Sequence, residues 1–150
     1  MPTVEFTRTL TVPANISTVW ATVTDVAAVS SWISVISEVE EIERLRLYRA
    51  TLTDRMGPFR LSADLSVEVT DLLEARNIRF VADGEDRELG SRIQVDAGLA
   101  LESDGEGTRI QVEGRYEITG KAATLGASMI RSKAEKILEE FFANAEQGLS

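Results

Sequence analysis

The sequence predicts an α+β protein: a curved antiparallel sheet of about seven strands around one long C-terminal helix, with two short helices after the first strand. Three observations carry that prediction. Apolar and polar residues alternate through most of the chain as far as Gly120, the period of half-buried strands. Turn signals such as Gly57-Pro58 and Asp104-Gly105-Glu106-Gly107 separate the runs closely enough to make hairpins. After Gly120 the apolar spacing widens to that of a helix.

Each element has its own signature. Val4, Phe6, Leu10 and Val12 share one parity and Glu5, Thr7, Thr9 and Thr11 the other, so the opening segment is a strand; Arg8 falls on the apolar parity. Pro13 stops it, having no N–H for a ladder. Asn15 is a good cap for a short helix striped by Val19, Trp20 and Val23, and Asp25 caps a second through Val26, Val29 and Trp32. Tyr48, Ala50 and Leu52 then alternate with Arg49, Thr51 and Thr53. Phe59, Leu61, Ala63, Leu65, Val67 and Val69 form the cleanest strand face in the chain. Ile78 and Phe80 anchor the next strand, which Asp83-Gly84 is expected to close.

Ile93, Val95, Leu99 and Leu101, then Ile110, Val112, Tyr116 and Ile118, define the inner faces of the last two strands. Leu125, Met129, Ile130, Ala134, Ile137, Leu138, Phe141 and Phe142 make a wide helical stripe, with Arg131, Lys133, Glu135, Lys136, Glu139 and Glu140 opposite. The tail Gln147-Gly148-Leu149-Ser150 is too short to form an element. No linker or repeat interrupts the 150 residues, a length that fits one domain.

Composition narrows the chemistry. The chain has no cysteine and no histidine, which removes thiol nucleophiles, disulfides, Cys/His zinc sites and the usual neutral-pH base. No cofactor or metal is called for. A net charge of −9 argues against nucleic acid as a partner and against anionic membrane surfaces. No leader precedes Phe6 and no run is long and apolar enough for stable membrane insertion, so the expectation is a soluble cytoplasmic protein. The nucleophile elbow, phosphate loop and dinucleotide fingerprint are all absent, and nothing demands an enzyme.

A sheet wrapped round one helix tends to leave space between them, and such junctions are common ligand sites. Leu52, Leu65, Phe80, Leu125 and Met129 are its candidate walls. Arg8 and Tyr116 are the groups chosen to orient a ligand oxygen, since inward polar groups need partners; internal pairing or snorkelling would satisfy them equally. Tyr48 shares the inward parity and the same two readings. Trp32 and Ile33 are expected to close over the mouth, towards Leu125 and Met129, because large exposed apolar patches are uncommon.

The order and spacing of several short motifs resemble the START-like (SRPBCC) superfamily, with its helix-grip (START/Bet v 1-like) fold. More narrowly, the chain resembles the CoxG family, named for a component of carbon monoxide dehydrogenase, and its polyketide cyclase-like relatives. The motifs are Val19-Trp20 with Thr24-Asp25, Tyr48 before Gly57-Pro58, Gly107-Thr108, Gly120-Lys121, Leu125-Gly126 and Phe141-Phe142. The chain departs where Trp32-Ile33-Ser34-Val35-Ile36 replaces a small turn of the family, and no counterpart of its apolar membrane-attaching tail is seen before Ser150. The resemblance implies a binding fold for a hydrophobic small molecule (lipid, quinone or polyketide-like), carried without catalysis. Its alternatives are a cyclase or aromatase, and an assembly or accessory factor that meets a partner protein of a dehydrogenase. The oligomeric state stays open.

Overall fold

Alternation becomes extended chain from the start of the computed structural model, which describes residues 3–86, 88 and 90–150. Met1 and Pro2, which open the segment read for a leader, lie outside the described residues. Strand β1 (Thr3–Val12) ends before Pro13. The Asn15 side chain accepts the Thr18 N–H at 2.9 Å and caps α1 (Ile16–Val23). Asp25 caps α2 (Val26–Ser30) in the same way through the Ala28 N–H. Six strands follow: β2 (Ile36–Glu43), β3 (Leu47–Met56), β4 (Phe59–Leu73), β5 (Asn77–Asp86), β6 (Ser91–Asp104) and β7 (Gly107–Thr119). The chain closes with α3 (Ala127–Gly148).

The seven strands form one antiparallel sheet in the order β1-β7-β6-β5-β4-β3-β2. It is a meander from β2 to β7, with β1 returned to the free edge of β7 by the α1–α2 excursion. The Gly57-Pro58 and Gly105-Glu106 turns fall where the sequence places them, each opened by a glycine with positive φ.

Three expectations need correction. Asp83-Gly84 does not end β5: the strand runs through it, and Gly84 pairs with Leu65 on one side and Ile93 on the other. A Cβ at Gly84 would stand 2.2 Å from the Asp64 carbonyl oxygen, so this glycine serves close strand approach rather than a turn. Leu125 is not on the long helix. It ends a 3-10 turn over Lys121–Leu125, and Gly126, at φ 91°, redirects the chain before α3 begins. The C-terminal tail is also structured, since α3 reaches Gly148 and Leu149 is buried.

The core has two parts. Under the first half of α3, Ile130 and Ala134 pack with Val4, Leu61, Ala63, Leu65, Ile93 and Ile118. Under its second half, Phe142, Ala145 and Leu149 pack with Val12, Leu101, Ile110 and Val112, and with Val19 and Val23 from α1. The space between these two cores is where a site has room.

Candidate functional site

Strand register defines the floor of that space. Tyr116 lies opposite Val4 and Val95; the row continues through Ala82 and Val67 to Tyr48. The neighbouring row runs Phe6, Gly114, Ala97, Phe80 and Val69. Its middle is small: a Cβ at Gly114 would meet the Phe6 ring at 2.7 Å and the Ala97 Cβ at 2.8 Å. Phe80, Ile78 and Val69 face the helix side, yet they are only half-buried and belong to neither core. They form a partly open apolar wall.

A polar cluster faces the same side. Asp54 continues the inward parity of Tyr48, Ala50 and Leu52 along β3, and its carboxylate lies 3.0 Å from the Lys133 ammonium on α3. The Asp54 side chain is 12% exposed and that of Lys133 30%. Lys133 therefore reaches towards the sheet from between Ile130 and Ala134, contrary to its expected place on the solvated side of the helix. Tyr116 packs against the first core, and its pKa is pushed up to about 12, by burial first and then by the Asp54 charge. Among the described residues its hydroxyl makes no hydrogen bond.

The other sequence candidates divide between the two ends of the helix. Leu65 is buried in the first core, and Leu52 packs against it. Tyr48 is buried and its hydroxyl accepts the Leu45 N–H at 2.6 Å, which ties down the β2–β3 turn, where Leu45 has φ 56°. Leu125 packs against the first core beneath the Gly57 turn, where an added Cβ would lie 3.2 Å from its Cδ2. Met129, expected in the wall, is instead 42% exposed. Arg8 has the inner register, opposite Val112, but β1 is an edge strand and the side chain is exposed. Its guanidinium stacks over the Phe142 ring at 5.4 Å, a cation–π contact rather than a buried charge.

Trp32 and Ile33 are placed differently from the expectation. Trp32 meets the second half of α3, with its ring edge-on to Phe141 at 5.7 Å and its carbonyl accepting from Asn144 at 3.1 Å. A Cβ at Gly148 would come within 2.8 Å of the indole, so that glycine makes the notch in which Trp32 sits. The Ser34 N–H donates to Glu140 at 2.7 Å, fixing the loop just beyond the half-buried Ile33. The segment covers the C-terminal end of α3, not Leu125 and Met129, because the aromatic edge and the glycine notch lie there.

Asp54 and Lys133 were missed by the sequence reading, although both carried a signal. Asp54 falls on the inward parity of its strand, and Lys133 lies three and four residues from Ile130 and Ile137. Elsewhere, a concavity of about 650 Å³ lies on the outward face among Glu38, Glu40, Arg49 and Asp64. Another of about 710 Å³ lies between the start of α1 and the β6–β7 turn. Outward charges pair as cross-strand ladders: Arg92 with Asp83, Arg109 with Glu102, and Arg79 with Asp96 and Glu113. Among the described residues no acidic cluster could hold a metal ion, and no helix is long and apolar enough to cross a membrane.

A seven-stranded antiparallel sheet gripping a C-terminal helix, with two short helices after the first strand, is the START-like fold. A conserved protein from Geobacillus kaustophilus shares it at TM-score 0.83 and 20% identity, over 97% of this chain and 95% of that one. A START superfamily protein from Mycobacterium smegmatis matches at TM-score 0.74 and 17% identity, over 97% and 96%. DynU16, a protein of the dynemicin biosynthetic locus, matches at TM-score 0.56 and 17% identity, over 97% of this chain and 48% of its own. No curated protein matches. The family model of CoxG, the G component of carbon monoxide dehydrogenase, matches residues 9–150, and the chain belongs to that family.

Proposed function

We propose that the protein binds and carries a hydrophobic small molecule, of the lipid, quinone or polyketide-like kind, between the sheet and α3 without altering it. The observation that carries this reading is the half-exposed inner wall of Val69, Ile78 and Phe80, apolar surface on the helix side of the sheet that neither core covers. Covering it supplies about 25 cal/mol per Å² before the costs of association. Leu52, Leu65 and Leu125 close the wall from the first core, while Tyr48 and Tyr116 bound the floor. Trp32, Ile33 and the Arg8–Phe142 stack form the rim at the other end. Membership of the CoxG family and the START-like fold of the neighbours support the same reading.

Native mass spectrometry of protein purified from its own host tests it. A co-purifying apolar molecule, returned chemically unchanged, is the expected result, together with a melting temperature raised by adding that molecule. Phe80→Ala is expected to weaken binding about tenfold and to cost little stability, since Phe80 lies outside both cores. The reading fails if the host protein is empty and no lipid, quinone or aromatic polyketide shifts its melting. A ligand returned as a cyclised product would replace carriage by the cyclase alternative.

A further inference from the structure

The Asp54–Lys133–Tyr116 cluster bears on what the grip selects, an inference that rests on the reading just given. A mostly buried phenol without a partner is costly, and an incoming acceptor would satisfy it. Burial and the Asp54 carboxylate both keep that hydroxyl protonated, so at neutral pH it acts as a donor. The Lys133 ammonium is already engaged by Asp54 at 3.0 Å, so the pair offers no net positive charge. The carboxylate that opposes a phenolate at Tyr116 opposes a ligand carboxylate at the same place. We infer that the grip selects a ligand with a neutral acceptor oxygen, a carbonyl on an apolar ring or chain, in preference to the matching hydrocarbon or carboxylate. Tyr116 donates to that oxygen, and the Asp54–Lys133 pair excludes anions.

Acetylnaphthalene, ethylnaphthalene and naphthoate, matched in ring and size, separate the possibilities in calorimetric titrations of the full chain at neutral pH. The ketone is expected to bind about tenfold tighter than the hydrocarbon, the usual scale of one well-placed hydrogen bond, and the naphthoate more weakly than the ketone. Tyr116→Phe removes one oxygen atom while keeping the ring, and is expected to bring the ketone-to-hydrocarbon ratio close to one. Asp54→Asn frees the Lys133 charge and is expected to raise naphthoate affinity about tenfold. Equal binding of ketone and hydrocarbon overturns the inference and leaves the apolar site standing. So does a ketone preference that survives Tyr116→Phe, which decides the matter alone should Asp54→Asn lower the melting temperature. Failure of all three molecules to bind overturns the inference together with the apolar site.

Discussion

Tyr48 and Tyr116 end the same row of the inner face, yet they do different things. The Tyr48 hydroxyl is engaged by the Leu45 N–H, whereas Tyr116 holds its proton up to about pH 12 through burial and the nearby Asp54 charge. The consequence for stability has a definite sign. A folded-state pKa raised from 10.0 to about 12 contributes stability that is complete below the lower value and is lost as pH rises through the higher one. Urea denaturation between those two pH values should show wild type losing stability faster than Tyr116→Phe. Phenolate absorbance should place the ionisation of this tyrosine in the same window. Parallel pH profiles for the two proteins would show that Tyr116 is not the group responsible.

Close approach between elements rests on glycine at few places, and Gly84 is the most demanding. β4 and β5 run so near each other there that any Cβ would enter the Asp64 carbonyl and the Leu65 side chain. Gly84→Ala should therefore cost about 2–3 kcal/mol in equilibrium unfolding, the scale of overpacking in a tight interior. A cost below about 0.5 kcal/mol, the range of ordinary surface changes, would mean that the two strands separate easily. Between β7 and α3 the constraint is positional. The Ser91 hydroxyl accepts the Ala122 N–H at 2.9 Å and pins the 3-10 turn to β6, so Gly126 starts α3 from a fixed point. That anchor directs Ile130, Lys133 and Ala134 at the sheet.

The molecule as a whole is a helix held at both ends with a less crowded middle. The far end is closed by Trp32, whose edge-on contact with Phe141 and fit over Gly148 join the α2–β2 segment to the last turns of α3. Trp32→Ala should cost about 3 kcal/mol in equilibrium unfolding, near the lower bound for buried aromatics because the indole is only partly buried. It should weaken the core that contains Phe142 and Leu149. A loss below about 1 kcal/mol, accompanied by faster ligand exchange, would identify the segment as a mobile lid instead. The net charge of −9 sits mainly on outward ladders and helix faces, which leaves the inner wall apolar apart from its one cluster.

Local alternation and capping determined the element order, both short-helix caps, the hairpin turns and the inward face of nearly every strand. Those features depend on neighbours within a few residues, so they can be read along the chain. Tertiary structure decided everything that needed a distance between elements. It made Gly84 a point of contact rather than a turn and brought Leu149 into the core. It took Trp32 to the opposite end of α3 and left Arg8 on an edge strand over Phe142. Asp54 and Lys133 are 79 positions apart in the chain and 3.0 Å apart in space. Parity could place each of them on an inner face, but only the packing of α3 across the sheet makes them a pair, because the attraction between two charges depends on their separation in space and the solvent left between them.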